Sequence, residues 1–238
     1  MQIRIFRQDF VVRWWLLLIT VAAFLLLIKL SGWQWQRAEQ KQQQLQQIEL
    51  WQQRGAPDWL TLLSYPLAEL DGAPLQGQAR WLAPAVWLVD NQVWQGRPGY
   101  DVLIPVQLAP ETPALLVNLG WVAAPESRQQ LPQVQIPAQL QLVGLLRTKL
   151  GAFRLGDNLE AVGQWPLRVQ TIDPPSLAQR VDFPLFQGVF YQQQTPFLHH
   201  YQPVVLPPAK HRAYALQWLL LAVAVLIVAA AASVRKEA

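Results

Sequence analysis

The stretch FVVRWWLLLITVAAFLLLIKL, residues 10–30, decides what kind of protein this chain is. It is almost entirely apolar, and a transmembrane helix needs about 20 such residues to cross the hydrocarbon core of a bilayer. A second run, AYALQWLLLAVAVLIVAAAA at residues 213–232, is interrupted by one polar residue, Gln217. A helix of that length in a soluble core would carry a polar face. The sequence therefore predicts two membrane-spanning helices, one near each end.

The first run could instead belong to a cleaved signal peptide, because Arg4, Arg7 and Arg13 precede an apolar core. A cleavage site requires small residues after the apolar core. Lys29 and Leu30 occupy that place. We therefore expect the run to be retained as an anchor, with the Lys29 ammonium reaching the membrane interface.

The distribution of charge indicates how the chain crosses the membrane. The net charge is +4, and residues 31–212 carry equal numbers of basic and acidic side chains, so the surplus lies in the end segments. Basic residues in short tails favour the cytoplasmic side. The basic residues of these segments are Arg4, Arg7, Arg13, Lys29, Arg235 and Lys236. We expect both termini in the cytoplasm and the middle of the chain in the periplasm, as a multi-pass protein of the bacterial inner membrane.

Composition narrows the classes of function. Only 14% of the residues are charged, against about a quarter in soluble domains, so lipid is an expected contact. Since the surplus charge belongs to the tails, no basic face for nucleic acid is predicted. The chain has no cysteine, which excludes disulfides and argues against a copper(I) chaperone.

The stretch after the first membrane run, residues 31–54, is rich in Gln, Glu, Lys and Leu, which favour helix. Leu45, Ile48 and Trp51 recur at helical spacing, and Gly55 and Pro57 supply a stop signal. We predict that the first helix continues to about Arg54. Low-complexity disorder is the alternative for the glutamine-rich part.

From Ala56 onward, short apolar runs alternate with proline and glycine, which is typical of β-strands. The predicted strands are residues 76–82, 86–90, 100–108, 114–122, 139–147, 167–172, 189–193 and 202–206, and a short helix is expected near residues 175–180. Their spacing suggests a mainly antiparallel sheet, closed or nearly so.

The expected fold class is therefore an α+β membrane protein, with two transmembrane helices flanking a β-rich domain outside the cytoplasm. The predicted segments are a cytoplasmic N-terminus (1–9), a first transmembrane helix (10–30), its helical extension (31–54), the β-rich periplasmic domain (55–209), the interfacial start and span of the second transmembrane helix (210–232) and a cytoplasmic C-terminus (233–238).

The sequence contains no recognisable enzyme motif. No serine lies in G-x-S-x-G, and there is no H-E-x-x-H, P-loop or G-x-G-x-x-G. Asp90, Asp101 and Asp157 are expected in turns or solvated loops. We therefore predict that the protein is not an enzyme.

Two stretches of the predicted domain contain turn or bulge signals. In VWLVDNQVWQGRPGYDVLIPV, residues 86–106, a strand is expected to end at Asp90 and Asn91 and the next to open at Tyr100. This pattern is typical of a hairpin, although Trp94 and Arg97 could serve as partner contacts. A glycine late in an apolar strand, Gly120, indicates a bulge or a close approach of two backbones.

The last helix begins with a histidine. His211, Tyr214, Ala215 and Trp218 would form one stripe on its first turns. The simple interpretation is that Lys210, His211 and Arg212 anchor a helix end among the lipid headgroups. The alternative is that the imidazole ligates haem iron, with Ala215 leaving room for the ring.

Other candidate residues near the predicted membrane surface have simple explanations. His199 and His200 are weaker ligands, because adjacent residues of a strand point to opposite faces. On the first helix, Trp33, Arg37 and Lys41 share a face, and they suit the interfacial belt without further function.

The order of motifs resembles the surfeit locus protein 1 family of cytochrome c oxidase assembly factors. The matching residues are Trp33, Gln34, Arg37, Ala38 and Lys41 after the first membrane run, then Asp90, Asn91, Gly96, Gly99, Tyr100 and Pro105, and finally Lys210, His211, Tyr214, Ala215 and Trp218. The chain departs from the family where Leu119 precedes Gly120 and Trp121, because the family usually has arginine there.

The resemblance implies an assembly factor that assists delivery of haem a to the oxidase core subunit, with that subunit and the haem-supplying enzymes as partners. The family histidine maps onto His211, the candidate iron ligand. Tyr214 and Trp218 would shape the pocket, and Trp33 with Arg37 would form its opposite wall or contact haem propionates. The alternative is a scaffold that clamps the nascent core subunit without touching haem.

Overall fold

The computed structural model describes residues 2–5, 8–11, 13–127, 130–151, 158, 164–202 and 204–233, with side chains from residue 13 onward. Asp157, expected in a loop, lies outside these residues. The chain divides into two compact units, residues 1–45 with 204–238 and residues 46–203.

The long helices lie near the two ends of the chain, and most of the strands follow one another between them, which is an α+β order. The helices are α1 (Trp14–Arg54), α2 (Trp59–Leu63), α3 (Pro174–Leu177) and α4 (Pro208–Ser233). The strands are β1 (Gln2–Ile5), β2 (Gln8–Val11), β3 (Pro74–Trp81), β4 (Trp87–Trp94), β5 (Arg97–Gln107), β6 (Ala114–Ala123), β7 (Gln139–Arg147), β8 (Leu167–Val169) and β9 (Leu185–Gln192).

Two helices, α1 and α4, are long and apolar enough to cross a membrane, with mean hydropathies of 2.2 and 2.5 over their most apolar windows. The first unit contains α4 and α1 up to residue 45, and the rest of α1 belongs to the second unit. The predicted start of the first helix at residue 10 is wrong, because residues 8–11 form β2, which pairs antiparallel with β1. Helix α1 begins at Trp14. Its end, at Arg54, is where it was predicted. Gly55 follows with a φ of 81°, a conformation that glycine adopts easily after a helix.

The second unit is built on a sheet that closes on itself. Among the described residues, β3, β7, β9, β6 and β5 form a ring, because β3 pairs with β7 along its length and with β5 through Arg80 and Trp81. β4 pairs with the first part of β5, which β3 leaves uncovered, and β8 pairs with β4. The closed sheet was predicted, but two pairings, β6 with β9 and β4 with β8, are parallel.

The sheet separates two apolar cores. Val102, Ile104 and Val106 of β5 belong to one core, whereas Leu103 belongs to the other together with Leu177 of α3. β5 is therefore buried on both faces, which explains its continuous apolar run. The first core also holds Leu119, 2% exposed. At the position where the family usually has arginine, this chain thus has a residue that fills an apolar core.

The hairpin between β4 and β5 is longer than predicted. Asp90 and Asn91 do not end the strand; the register shifts there, with Asn91 at a φ of 60°, and β4 continues to Trp94. The turn is formed by Gln95 and Gly96, whose positive φ values of 49° and 78° suit the twist of a two-residue hairpin.

Two further differences concern short elements. Residues 202–206 were predicted as a strand, but Gln202 and 204–206 form no strand. Helix α2 was not predicted. It is short, and its signal is the N-cap Asp58, whose side chain accepts a hydrogen bond from the Thr61 amide at 2.8 Å. This hydrogen bond lowers the pKa of Asp58.

Gly120 forms the predicted bulge and close approach. Its φ is 118°, the β5–β6 register shifts beside it, and an added Cβ would lie 2.7 Å from the Leu198 carbonyl oxygen. Trp121 and Leu198 exchange backbone hydrogen bonds at this point. A side chain here would therefore push the 198 segment from the sheet.

We expect Gly120→Ala to destabilise the protein by roughly 1–3 kcal/mol, the range for a residue held in an unfavourable backbone conformation. The measurement is the melting temperature of the full chain in detergent, followed by tryptophan fluorescence. Gly77→Ala is the matched control, because Gly77 lies in β3 and a Cβ added there would meet open space. Equal melting temperatures for the two variants would contradict the prediction.

Candidate functional site

His211 lies on the first turn of α4. The helix begins at Pro208, whose fixed φ and missing N–H suit a first helical position. The side chain of His211 is only 9% exposed, although Lys210 and Arg212 on either side are exposed. The three basic residues are therefore not equivalent, as they would be if all of them only anchored the helix among headgroups.

The imidazole of His211 faces α1. Its Nδ1 lies 2.8 Å from the side-chain oxygen Oε1 of Gln34. An amide oxygen can only accept, so Nδ1 is the donor in this contact. Among the described residues, nothing else hydrogen-bonds to this ring. A histidine that binds a metal usually donates its other N–H in this way, which fixes its tautomer and orientation.

One turn further along, α1 and α4 are in direct contact. The Ser31 hydroxyl donates to the backbone carbonyl of Ala215 at 2.9 Å, and Ala215 is 3% exposed. Small residues at helix contacts in membranes allow backbones to approach closely. A macrocycle therefore cannot lie between the two helices at the level of Ala215.

The other predicted site residues are all more exposed than His211. Trp33 and Tyr214 are 47% and 41% exposed, and Trp218 is half-buried. Arg37 is exposed, and its guanidinium lies 5.7 Å from the centre of the Trp33 ring. The structure brings His211 together with Gln34, a residue that the sequence matched to a motif without assigning it a role. The haem roles of the five predicted residues stay predictions.

A second polar cluster lies in the sheet unit. The prediction that Asp101 is solvated is wrong: it lies in β5, is 6% exposed, and accepts from Asn118 at 2.8 Å and from the Nε2 of His200 at 2.6 Å. The amide oxygen of Asn118 accepts from the Gly120 backbone. His199 contacts the Gln192 carbonyl oxygen through Nδ1. The two adjacent histidines thus have separate partners.

The pKa of His200 is raised above its ordinary value of 6.5, chiefly by the hydrogen bond to Asp101. A proton bound more tightly in the folded state stabilises the protein fully below the unfolded pKa, and this stabilisation is lost as pH rises through the folded pKa. We expect the melting temperature of the full chain to fall as pH is raised from about 6 to about 8, and this fall to be smaller in His200→Gln. An identical pH dependence in that variant would contradict the assignment.

No group of three or more His, Asp or Glu side chains is placed to hold a metal ion in the part of the chain that the structure describes. The single imidazole of His211 has the chemistry of an axial haem ligand, which needs no such cluster.

Comparison with known proteins identifies one family. The model of the SURF1 family matches residues 21–223, most of both units. No curated protein matches the sequence. The matched range includes all three motif groups and both α1–α4 contacts described above.

Proposed function

We propose a function from the premise that this chain belongs to the SURF1 family: it assists the delivery of haem a to the core subunit of cytochrome c oxidase. The family consists of membrane-associated cytochrome oxidase assembly factors and is not a catalytic family. In this proposal, the chain itself holds the haem.

The observation that carries the proposal is the contact between His211 and Gln34. With Nδ1 donating to the Gln34 oxygen, Nε2 is the ring nitrogen that would bind iron. A bound haem would supply the iron that this nitrogen coordinates. Lys210 or Arg212 would be sufficient for an anchoring role alone, and neither of them needs a buried partner.

The remaining predicted residues would contact a haem bound on the outer surface of the helix pair. Tyr214 and Trp218 share the α4 stripe of His211 and offer aromatic faces. Arg37, stacked near Trp33, presents a guanidinium suited to a propionate carboxylate. Because α1 and α4 touch at Ala215, haem would have to lie beside the helix pair.

The proposed location is the bacterial inner membrane, with both termini in the cytoplasm and the sheet unit in the periplasm. The two apolar helices and the basic tails support this orientation. The partners are then the oxidase core subunit and the enzymes that supply its haem.

A non-haem scaffold that clamps the nascent core subunit is the second candidate. The contact between Ser31 and Ala215 favours it, because the helices leave no space between them there. In that case the role of His211 would be to hold α1 and α4 together through Gln34.

Complementation separates the two functions. In cells that lack this chain, we expect His211→Ala to restore the amount of oxidase core subunit but not its haem a content, measured as haem per subunit. Lys210→Ala is the matched control, since it removes an exposed cation from the same helix end. Loss of the core subunit itself with His211→Ala, or full haem a content, would contradict haem delivery.

A further inference from the structure

A polar cleft in the sheet unit uses none of the residues of the haem proposal. Its volume is about 410 Å³, within the range of roughly 300–1,000 Å³ for small-molecule sites. Part of the wall is apolar and contains Val89, Leu150 and Ile172. The cleft is therefore large enough for an organic molecule with both an apolar and a polar part.

The polar wall is organised around Arg147, at the end of β7. Its Nε donates to Asp71 Oδ1 at 2.7 Å, and its Nη1 donates to the Tyr201 hydroxyl at 2.6 Å. Asp71 also accepts from the backbone amides of Thr148 and Lys149. The guanidinium is thus held in one orientation at the cleft, so little side-chain entropy would be lost on binding a ligand.

Three side chains of the cleft, Arg147, Tyr191 and Tyr201, have hydrogen-bond donors that a ligand could use. An arginine has five N–H groups, and two of those of Arg147 are used in the contacts above. The Tyr201 hydroxyl accepts from Arg147, so its own proton is available. Tyr191 stacks on Tyr201, with ring centres 3.7 Å apart, and among the described residues its largely buried hydroxyl has no hydrogen-bond partner. Burial raises the pKa of both tyrosines, which therefore stay protonated donors at neutral pH.

The charges of the cleft favour a ligand with one negative charge. Asp71 balances Arg147, and His200 balances Asp101 when it is protonated. The exposed Lys149 has no ion-pair partner among the residues described. A doubly charged anion would be repelled by the two aspartates, whereas a single carboxylate would pair with Lys149 and accept from the available donors.

We propose that this cleft binds a small organic molecule through a single carboxylate group. The carboxylate oxygens accept hydrogen bonds from Arg147, Tyr191 and Lys149, and the apolar part of the ligand packs on Val89 and Ile172. The proposal is independent of haem, because none of these residues belongs to the His211 site.

The test is calorimetric titration of the full chain in detergent with benzoate, a monocarboxylate with an apolar body. We expect saturable binding, with methyl benzoate at least about tenfold weaker because it lacks the charge.

Tyr191→Phe keeps the stacked ring and should raise the Kd for benzoate about 2- to 12-fold, the effect of one hydrogen bond. Lys149→Gln should weaken binding and reduce its dependence on salt. Tyr65→Phe, outside the cleft, is the matched control.

Several results would overturn the proposal: no saturable binding of benzoate, equal affinity for methyl benzoate, tighter binding of inorganic phosphate, or wild-type affinity in both cleft variants. If Tyr191→Phe lowers the melting temperature, the benzoate affinity of Lys149→Gln is the result that tests the proposal. The Lys149 side chain is exposed and has no structural partner among the described residues.

Discussion

Asp101→Ala is expected to destabilise the sheet unit by roughly 1–3 kcal/mol, the cost of leaving a buried hydrogen-bonding group without its partner. The substitution leaves Asn118 Nδ2 and His200 Nε2 without their acceptor. It also removes one of two neighbouring attachments of the segment that precedes α4 to the sheet; the backbone pairing of Leu198 with Trp121 remains. The melting temperature of the full chain in detergent should fall by about 2–4 °C for each kcal/mol lost.

Asp90→Ala is the matched control for this prediction. Asp90 is only half-buried, and its Oδ1 accepts one backbone hydrogen bond, from Asn91. A loss of about 1 kcal/mol or less is expected there. Equal melting temperatures for Asp101→Ala and Asp90→Ala would mean that the buried cluster around Asp101 does not stabilise the fold as described.

Gln34→Leu is expected to weaken haem binding by about 10- to 100-fold, the usual effect of removing the partner that orients a ligating histidine. The substitution takes away the acceptor of the Nδ1 hydrogen bond, so the ring loses the contact that orients it. His211→Ala should abolish binding. The measurement is a titration of the full chain with haem, followed by the shift of the Soret absorbance band.

The control is Gln36→Leu, two residues away on an exposed position of α1. It makes the same change of polarity in the same turn of α1 without removing the partner of His211, and it should leave the haem affinity unchanged. Equal affinities for Gln34→Leu and Gln36→Leu would mean that Gln34 does not prepare His211 as a ligand.

Elements with a strong local signal were predicted closely. The alternating residues 139–147 form β7 with the predicted bounds. The end of α1 at Arg54 followed from Gly55 and Pro57. The turn signal at Asp90 and Asn91 was misread, because positive φ at Asn91 forms a bulge within β4 and does not end the strand.

The polar contacts could not be predicted, because they join residues distant in sequence. Gln34 and His211 are 177 positions apart, and Asp101 and His200 are 99 apart. Periodicity placed His211 on a helix face but did not say what that face contacts. Asp101 resembled a loop residue because aspartate rarely enters a buried strand unpaired, and its partners become visible only through the fold.

The most direct test of the central claim is the haem content of the full chain purified from cells that make haem a. The account predicts haem close to one per chain, with a Soret band that is lost in His211→Ala while the protein yield is unchanged. Haem in the wild-type protein no higher than in His211→Ala would contradict the claim and leave the clamp as the function of the two helices.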